Sequence, residues 1–257
     1  MIAVITGASS GIGEATARAF VADGAQVVLT SEREQELMGV AASLQASGGK
    51  VTPLVVDFSK PDQVTGLIAR IEAEVGPVDV LVNNAGLGLG ARILEMKLDD
   101  LRFLFEVNFF ALATLSREAF AVMAERKRGR IINISSGAGR LGLPGVGAYA
   151  ASKGAVHNFT SALRIEGRAC GIFVSEVMPV SVRTKFFDNV KGETYRPSGV
   201  VQTPEQVAQV ILRCAKAARP KAEVLPYRLL RIPFVLDALL PGILDRFLSK
   251  DASQKHP

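Results

Sequence analysis

The sequence predicts an α/β protein: a doubly wound parallel sheet with helices on both faces, built as one domain from 257 residues. Two observations carry this. Apolar, β-branched runs alternate with helix-period segments almost from end to end, and the runs lack the strict apolar and polar alternation of a sheet with one wet face. No linker or internal repeat interrupts the pattern, and strand-helix-strand order implies right-handed crossovers. In chain order the strands are IAVIT (2–6), AQVVLT (25–30), VTPLVV (51–56), VDVLV (78–82), GRIINI (129–134) and GIFVSEV (171–177). Helices are expected over 11–24, 33–47 and 61–76, and along DDLRFLFEVNFFALATLSREAF (99–120). TPEQ at 203–206 offers Thr203 as N-cap, Pro204 in the first turn and Gln206 at the capping-box position.

Composition narrows the function classes. A hydrophobic fraction of 48% fills a sizeable core, and the net charge of +5 is scattered apart from ERKRGR at 125–130, which reads as a helix C-terminus before a strand. No basic stripe interleaved with aromatics is present, so nucleic acid is not an expected partner. Cys170 and Cys214 have neither disulfide-framework nor metal-ligand spacing; no metal is expected and a reducing, cytoplasmic setting is. The opening MIAVITG carries no basic n-region and no cleavage site, and reads as the start of a strand.

In such sheets ligands bind outside the carboxyl ends of the strands. After the first strand comes TGASSGIG, where Gly7, Gly11 and Gly13 permit a tight turn and close approach of backbone to a pyrophosphate. Ser9, Ser10 and Ile12 belong to the same loop. Its spacing is GxxxGxG, and a glycine-rich turn alone is weak evidence. After the third strand, Asp57 and Phe58 follow; Asp57 reads equally as an acceptor for an adenine amino group or as a turn aspartate. After the fourth strand, NNAG supplies Asn83 and Asn84 to tie neighbouring loops, and Ala85 and Gly86 to let a ligand lie on backbone. Tyr149 and Lys153, four residues apart in AYAASKGA, fall on one helix face. An ammonium so placed lowers the pKa of a phenol, although a surface pair is the commoner meaning of that spacing alone. Asn108 sits on an otherwise apolar stripe with Leu101, Leu104, Phe105, Leu112 and Leu115, where an amide needs partners and a structural network is the alternative.

Together, TGASSGIG, NNAG, the NISS segment and YAASK resemble the short-chain dehydrogenase/reductase family over roughly residues 2–225. The resemblance implies a Rossmann-like fold and an oxidoreductase moving a hydride between a nicotinamide cofactor and a secondary alcohol or carbonyl compound. It assigns Tyr149 as general acid and base, and Lys153 as its partner and a ribose ligand. Ser136 becomes the substrate-orienting hydroxyl, with Ser135 the lesser candidate. Asn108 becomes a fourth catalytic member holding a relay water.

The cofactor signals around LTSERE conflict. Ser31 stands where NAD-dependent relatives usually carry Asp, while Glu32 opposes a phosphate and Ser31 with Arg33 could cradle one; NADP is expected ahead of NAD. PVSVRT at 179–184 is similar to the family's PGxxxT, with Thr184 and the backbone near Val182 holding the carboxamide; Val180 replaces the usual glycine. Residues 185–203 form a substrate-loop region whose Phe186, Phe187 and Tyr195 suggest a hydrophobic substrate or else core packing. Residues 227–250 form an apolar extension with three readings, a cap on the site, packing in a homo-oligomer, or peripheral membrane contact, the last least favoured. The rival function is a non-catalytic NAD(P)-binding sensor on the same fold. An epimerase or dehydratase is disfavoured by the glycine spacing.

Overall fold

The computed structural model describes residues 1–184, 191–192, 201–225, 231–240 and 242. Seven parallel strands form one sheet: β1 (Ile2–Thr6), β2 (Gln26–Ser31), β3 (Val51–Val55), β4 (Val80–Asn83), β6 (Gly129–Ile134), β7 (Ile172–Val177) and β11 (Glu223–Val224), in spatial order β11-β7-β6-β4-β1-β2-β3. Two small parallel pairs flank it: β5 (Leu89–Gly90) with β9 (Lys191–Gly192), and β8 (Ser181–Val182) with β10 (Val201–Gln202). The sheet grows outward from β1 in one direction through β3 and then in the other from β4. The reversal between β1 and β4 opens the crevice where such folds bind ligands.

The helices are α1 (Gly11–Ala22), α2 (Glu34–Ala46), α3 (Pro61–Val64), α4 (Leu67–Glu74), α5 (Leu98–Phe105), α6 (Ala111–Glu125), α7 (Gly147–Ala169), α8 (Pro204–Lys216) and α9 (Arg231–Leu239). The unbroken apolar runs have a direct explanation, because successive strand residues enter opposite cores. Ala3, Ile5, Val27, Leu29, Val80 and Val82 join Phe20, Leu37 and Ile211 of α1, α2 and α8. Val4, Val28, Leu81 and Ile131 join Ile68, Ile71, Leu115 and Leu163 of α4, α6 and α7 on the other face.

Some expectations need correction. The helix expected over 61–76 breaks at Gly66, whose φ of 83° leaves the helical region. There Glu118 of α6 accepts from the amides of Gly66 (2.7 Å) and Ile68 (3.2 Å), so a distant carboxylate starts α4. The helix over 99–120 contains a π-turn, Glu106–Phe110, between α5 and α6. Strand β11 has only two residues and no sequence signal of its own. The TPEQ cap forms in full: Thr203 Oγ1 accepts from the Gln206 amide at 3.3 Å and Gln206 Oε1 from the Thr203 amide at 2.9 Å.

The run Leu98–Glu125 is long and apolar enough by composition to cross a membrane, yet Leu104, Leu112, Leu115, Ala119 and Met123 along it are buried in the protein. Phe186, Phe187 and Tyr195 lie outside the described residues. Of the extension at 227–250, α9 is described; Ile232, Val235, Leu236 and Leu239 are exposed, and Phe234 sits 5.9 Å from the Arg140 guanidinium.

Candidate active site

Every strand of a parallel sheet points its carboxyl end to the same edge, so the segments after β1, β2, β3, β4, β6 and β7 converge there. They line one cavity, which includes Gly7, Ser9, Ser10, Gly11 and Ile12 after β1. Ser31 and Arg33 close it beyond β2, with Asp57 and Phe58 beyond β3. Asn84, Ala85 and Gly86 follow β4, and Val182 and Thr184 complete the rim beyond β7.

The glycine loop is held open by close packing. Gly7 and Gly11 have φ of 63° and 58°, and a Cβ on Gly13 would lie 2.1 Å from the Gly7 carbonyl oxygen. Gly13 therefore serves packing beneath the loop and does not itself line the cavity. Asn84 fastens the turn from the β4 side: its amide N–H and that of Ala85 donate to Thr6 Oγ1, both at 2.9 Å, while its Nδ2 donates to the Thr6 and Gly7 carbonyls. No side chain caps the start of α1, whose first residues Gly11 and Ile12 line the cavity. An uncapped helix N-terminus beside a left-handed glycine turn suits a pyrophosphate, so these residues fit a dinucleotide.

Asn83 departs from expectation. It is the last residue of β4, 2% exposed, and its Nδ2 donates to Ser116 Oγ and Asn133 Oδ1 inside the protein. The period of two along the strand turns it away from the crevice, while Asn84, one residue later, faces the loops. Asp57 takes its turn reading. Oδ1 accepts from the amide and hydroxyl of Ser59, which holds its carboxyl below the usual range with help from Lys60, and the residue still lines the cavity. Ser31 is 1% exposed, and its hydroxyl bridges to Ser9 Oγ at 2.9 Å and accepts from the Arg33 amide at 3.2 Å. Glu32 and Arg33 pair at 3.7 Å.

Ser136, Tyr149 and Lys153 line the same cavity. Ser136 hydrogen-bonds the Tyr149 phenol and accepts from the Ala138 amide at 3.2 Å. The adjacent Ser135 turns its hydroxyl inward to Glu176. Lys153 is 4% exposed, donates to the Ile134 carbonyl at 3.2 Å, and its Nζ lies 6.0 Å from the Tyr149 ring centre. Gly139 fixes this placement, since a Cβ there would lie 2.6 Å from the Lys153 carbonyl carbon; only glycine lets the 3₁₀ turn Gly137–Arg140 press onto α7.

The expected electrostatics change in one respect. Burial pushes the Tyr149 phenol up to about 12, with the Ser136 bond opposing, instead of an ammonium drawing it down. Burial likewise lowers Lys153 to about 8, opposed by the charge of Glu176. In an enclosed site desolvation is the largest influence on both groups.

Asn108 is fully buried in the π-turn, behind the cavity wall. Oδ1 accepts from the Leu87 amide at 2.8 Å, and Nδ2 donates to the Leu87 carbonyl and to Ser152 Oγ, both at 3.0 Å. Both amide hydrogens are used, so the side chain acts as a clamp on the 86–87 loop. Gly86 passes between Asn108 and Lys153: its Cβ position is 3.0 Å from Oδ1 and 3.3 Å from Nζ. Val180, in place of the family's glycine, is not left-handed, because Lys127 is the one non-glycine with positive φ among the described residues. Leu87, Phe103, Val107, Pro179 and Val180 also line the cavity. Apart from Val180, whose place after β7 marked it, sequence reasoning did not single these out; Phe103 and Val107 come from α5 and the π-turn, not from a strand end.

A Rossmann-like sheet, a dinucleotide-shaped glycine turn and a Ser, Tyr and Lys cluster in one crevice define a nicotinamide-cofactor oxidoreductase of the α/β class. The model of the family "short chain dehydrogenase" matches residues 1–194, and the chain belongs to the short-chain dehydrogenase/reductase family. A short chain dehydrogenase of Pseudocercospora fijiensis is 40% identical over 71% of this chain, which spans 60% of that protein's length. A 3-oxoacyl-[acyl-carrier-protein] reductase of Synechocystis is 34% identical over 82% of this chain and 87% of its own. Among solved structures, a Sphingobium yanoikuyae short-chain dehydrogenase in complex with NADPH superimposes with a TM-score of 0.81 at 26% identity, over 95% of each chain. A Burkholderia phymatum family member in complex with NAD gives 0.83 at 28%, over 93% of this chain and 94% of that one.

Proposed function

We propose that this oxidoreductase exchanges a hydride with a secondary alcohol or carbonyl compound, with Tyr149 as the proton donor and acceptor. The observation that carries the reading is the hydrogen-bonded Ser136 and Tyr149 pair beside buried Lys153, in the cavity that begins at the glycine loop. A bound nicotinamide dinucleotide supplies or accepts the hydride, and its oxidised ring adds a positive charge.

In carbonyl reduction the Tyr149 hydroxyl donates its proton to the substrate oxygen, and Ser136 donates a hydrogen bond that orients that oxygen. A phenol held at about 12 is protonated at neutral pH and so carries the proton that reduction consumes. In alcohol oxidation the proton moves the other way, and the cations nearby favour the phenolate that must form. Lys153, held near 8, both carries charge and releases a proton readily at physiological pH. Asn108 contributes by clamping the loop; a relay water would meet the remaining Oδ1 lone pair or the main-chain carbonyls of the π-turn. Leu87, Phe103, Val107 and Val180 favour a hydrophobic substrate.

NADP is the proposed cofactor ahead of NAD. Arg33 and the Ser31 loop lie at the cavity edge where a 2'-phosphate would rest, although Glu32 beside Arg33 offsets part of its charge. A homo-oligomer is part of the same reading, supported by the exposed apolar Phe110, Ile165 and Phe173.

The test is Tyr149→Phe, assayed by absorbance of the reduced nicotinamide over a panel of ketones and alcohols. Turnover should fall at least about a thousandfold while NADPH still binds, in line with loss of positioned acid catalysis. Retained turnover removes the tyrosine from the reaction.

A further inference from the structure

Behind the cavity lies a second polar cluster that the proposed reaction does not use. Glu176 of β7 is fully buried, which is rare for a carboxylate without a task. It accepts from the Ser135 hydroxyl on β6's end and from His157 Nδ1 of α7 at 2.8 Å. His157 stands one turn beyond Lys153 on the same helix face. Its Nε2 stands 3.0 Å from Arg140 Nη1. Arg140 also reaches Glu223 of β11 at 3.5 Å, and Arg164 of α7 approaches Glu223 at 3.9 Å. His157, Glu176 and Glu223 bring ligand atoms within 4.8 Å of one another, but the Arg140 guanidinium already supplies the cation there.

We propose that Glu176 is a positioning residue for the catalytic centre: its buried carboxyl group grips Ser135, next to the Ile134 carbonyl that holds Lys153, and so places the lysine and anchors the strand end that presents Ser136 to Tyr149. The geometry supports the anchoring, and the effect of Glu176 on the lysine's charge adds to it. Lys153 Nζ donates to the carbonyl of Ile134, the residue just before Ser135, and Ser135 also donates its backbone N–H to Val177, the residue just after Glu176. Carboxylate, strand end and lysine are thus fastened to one another within a few residues. The lysine's neighbours are Tyr149 on its own helix, Asn108 across Gly86, and Glu176. Glu176 in turn faces Ser135 and His157, backed by Arg140, Glu223 and Arg164. Of these, Glu176 is the group whose charge opposes the loss of the lysine's proton on burial. Leaving Lys153 as the one buried charge would neutralise it earlier and weaken the proton transfer assigned to Tyr149.

The inference rests on the proposed reaction only for its consequence, so the first readout is independent of turnover. Lys153 is titrated by NMR in protein carrying [13Cε]lysine, with Lys153→Arg used to assign the signal. In Glu176→Gln the Lys153 midpoint should fall by about one pH unit or more, as expected when an opposite charge is removed nearby. Glu176→Asp, which keeps the charge, should restore most of it. The alkaline limb of the rate profile for alcohol oxidation should move to lower pH with the lysine, because activity that needs the cation disappears as pH rises through its pKa. If Glu176→Gln does not fold, the double variant Ser135→Ala/Glu176→Leu removes donor and acceptor together and carries the same expectation. An unchanged Lys153 midpoint, or an equal shift in Glu176→Asp, overturns the proposal. A shifted midpoint with an unshifted rate profile would leave the Glu176 coupling standing and count against the role given to Lys153.

Discussion

Replacing the buried lysine should make the protein more stable and inactive. Lys153 is 4% exposed, and burial lowers its pKa from 10.5 to about 8 even with Glu176 opposing. The difference of roughly 2.5 pH units corresponds to about 3 kcal/mol at 1.36 kcal/mol per unit. The sign follows from proton counting. Below pH 8 the lysine is charged in both states and folding bears the whole penalty. Between about 8 and 10.5 the unfolded chain binds more protons, so stability rises with pH, and above 10.5 the penalty is gone. Lys153→Met removes the charge at similar length and loses the bond to the Ile134 carbonyl, worth about 1 kcal/mol. The variant should therefore be more stable at pH 7 by about 2 kcal/mol. That advantage should vanish, and reverse, as pH approaches 10. Tyr149, raised to about 12, withdraws stability only as pH rises from 10 toward 12, and does so in both proteins. Urea unfolding followed by far-UV circular dichroism at pH 7, 8.5 and 9.5 measures the gap. A variant less stable than the parent at pH 7, or a gap that does not narrow with pH, would refute the reasoning.

Further outcomes follow from other contacts. Gly13→Ala places a methyl 2.1 Å from the Gly7 carbonyl oxygen, far inside contact, so the glycine loop must shift; NADPH affinity should fall at least about tenfold by fluorescence titration, with a lowered Tm. Thr203→Ala removes one half of the capping box and should destabilise by about 1 kcal/mol, a drop of roughly 2–4 °C in Tm for a chain of this size. Arg33→Ala should weaken NADPH more than NADH in paired titrations; equal losses would count against a 2'-phosphate site.

Much of the fold was legible because its signals are local. A parallel sheet covered on both faces demands apolar residues at consecutive positions, and the six longer strands announced themselves within a residue or two of their ends. The capping box at Thr203 is equally local. The break at Gly66 was not legible, since the acceptor that starts α4 is Glu118, fifty-two residues away. Strand β11 was missed because two residues carry no periodicity, and it forms only where β7 offers a free edge.

The chain's own order of residues determined the glycine turn after β1, the NNAG tie and the serine, tyrosine and lysine that the family resemblance names, since each is a short motif and their order along the chain carries the resemblance. Only the tertiary structure decided which side chain of a motif faces the crevice and what charge it holds there. Adjacent residues such as Asn83 and Asn84, or Ser135 and Ser136, are chemically alike, and the direction of the strand end sends one inward and the other to the site. Desolvation and a buried carboxylate from a distant strand set the lysine's affinity for its proton, and both exist only once the layers have closed over it.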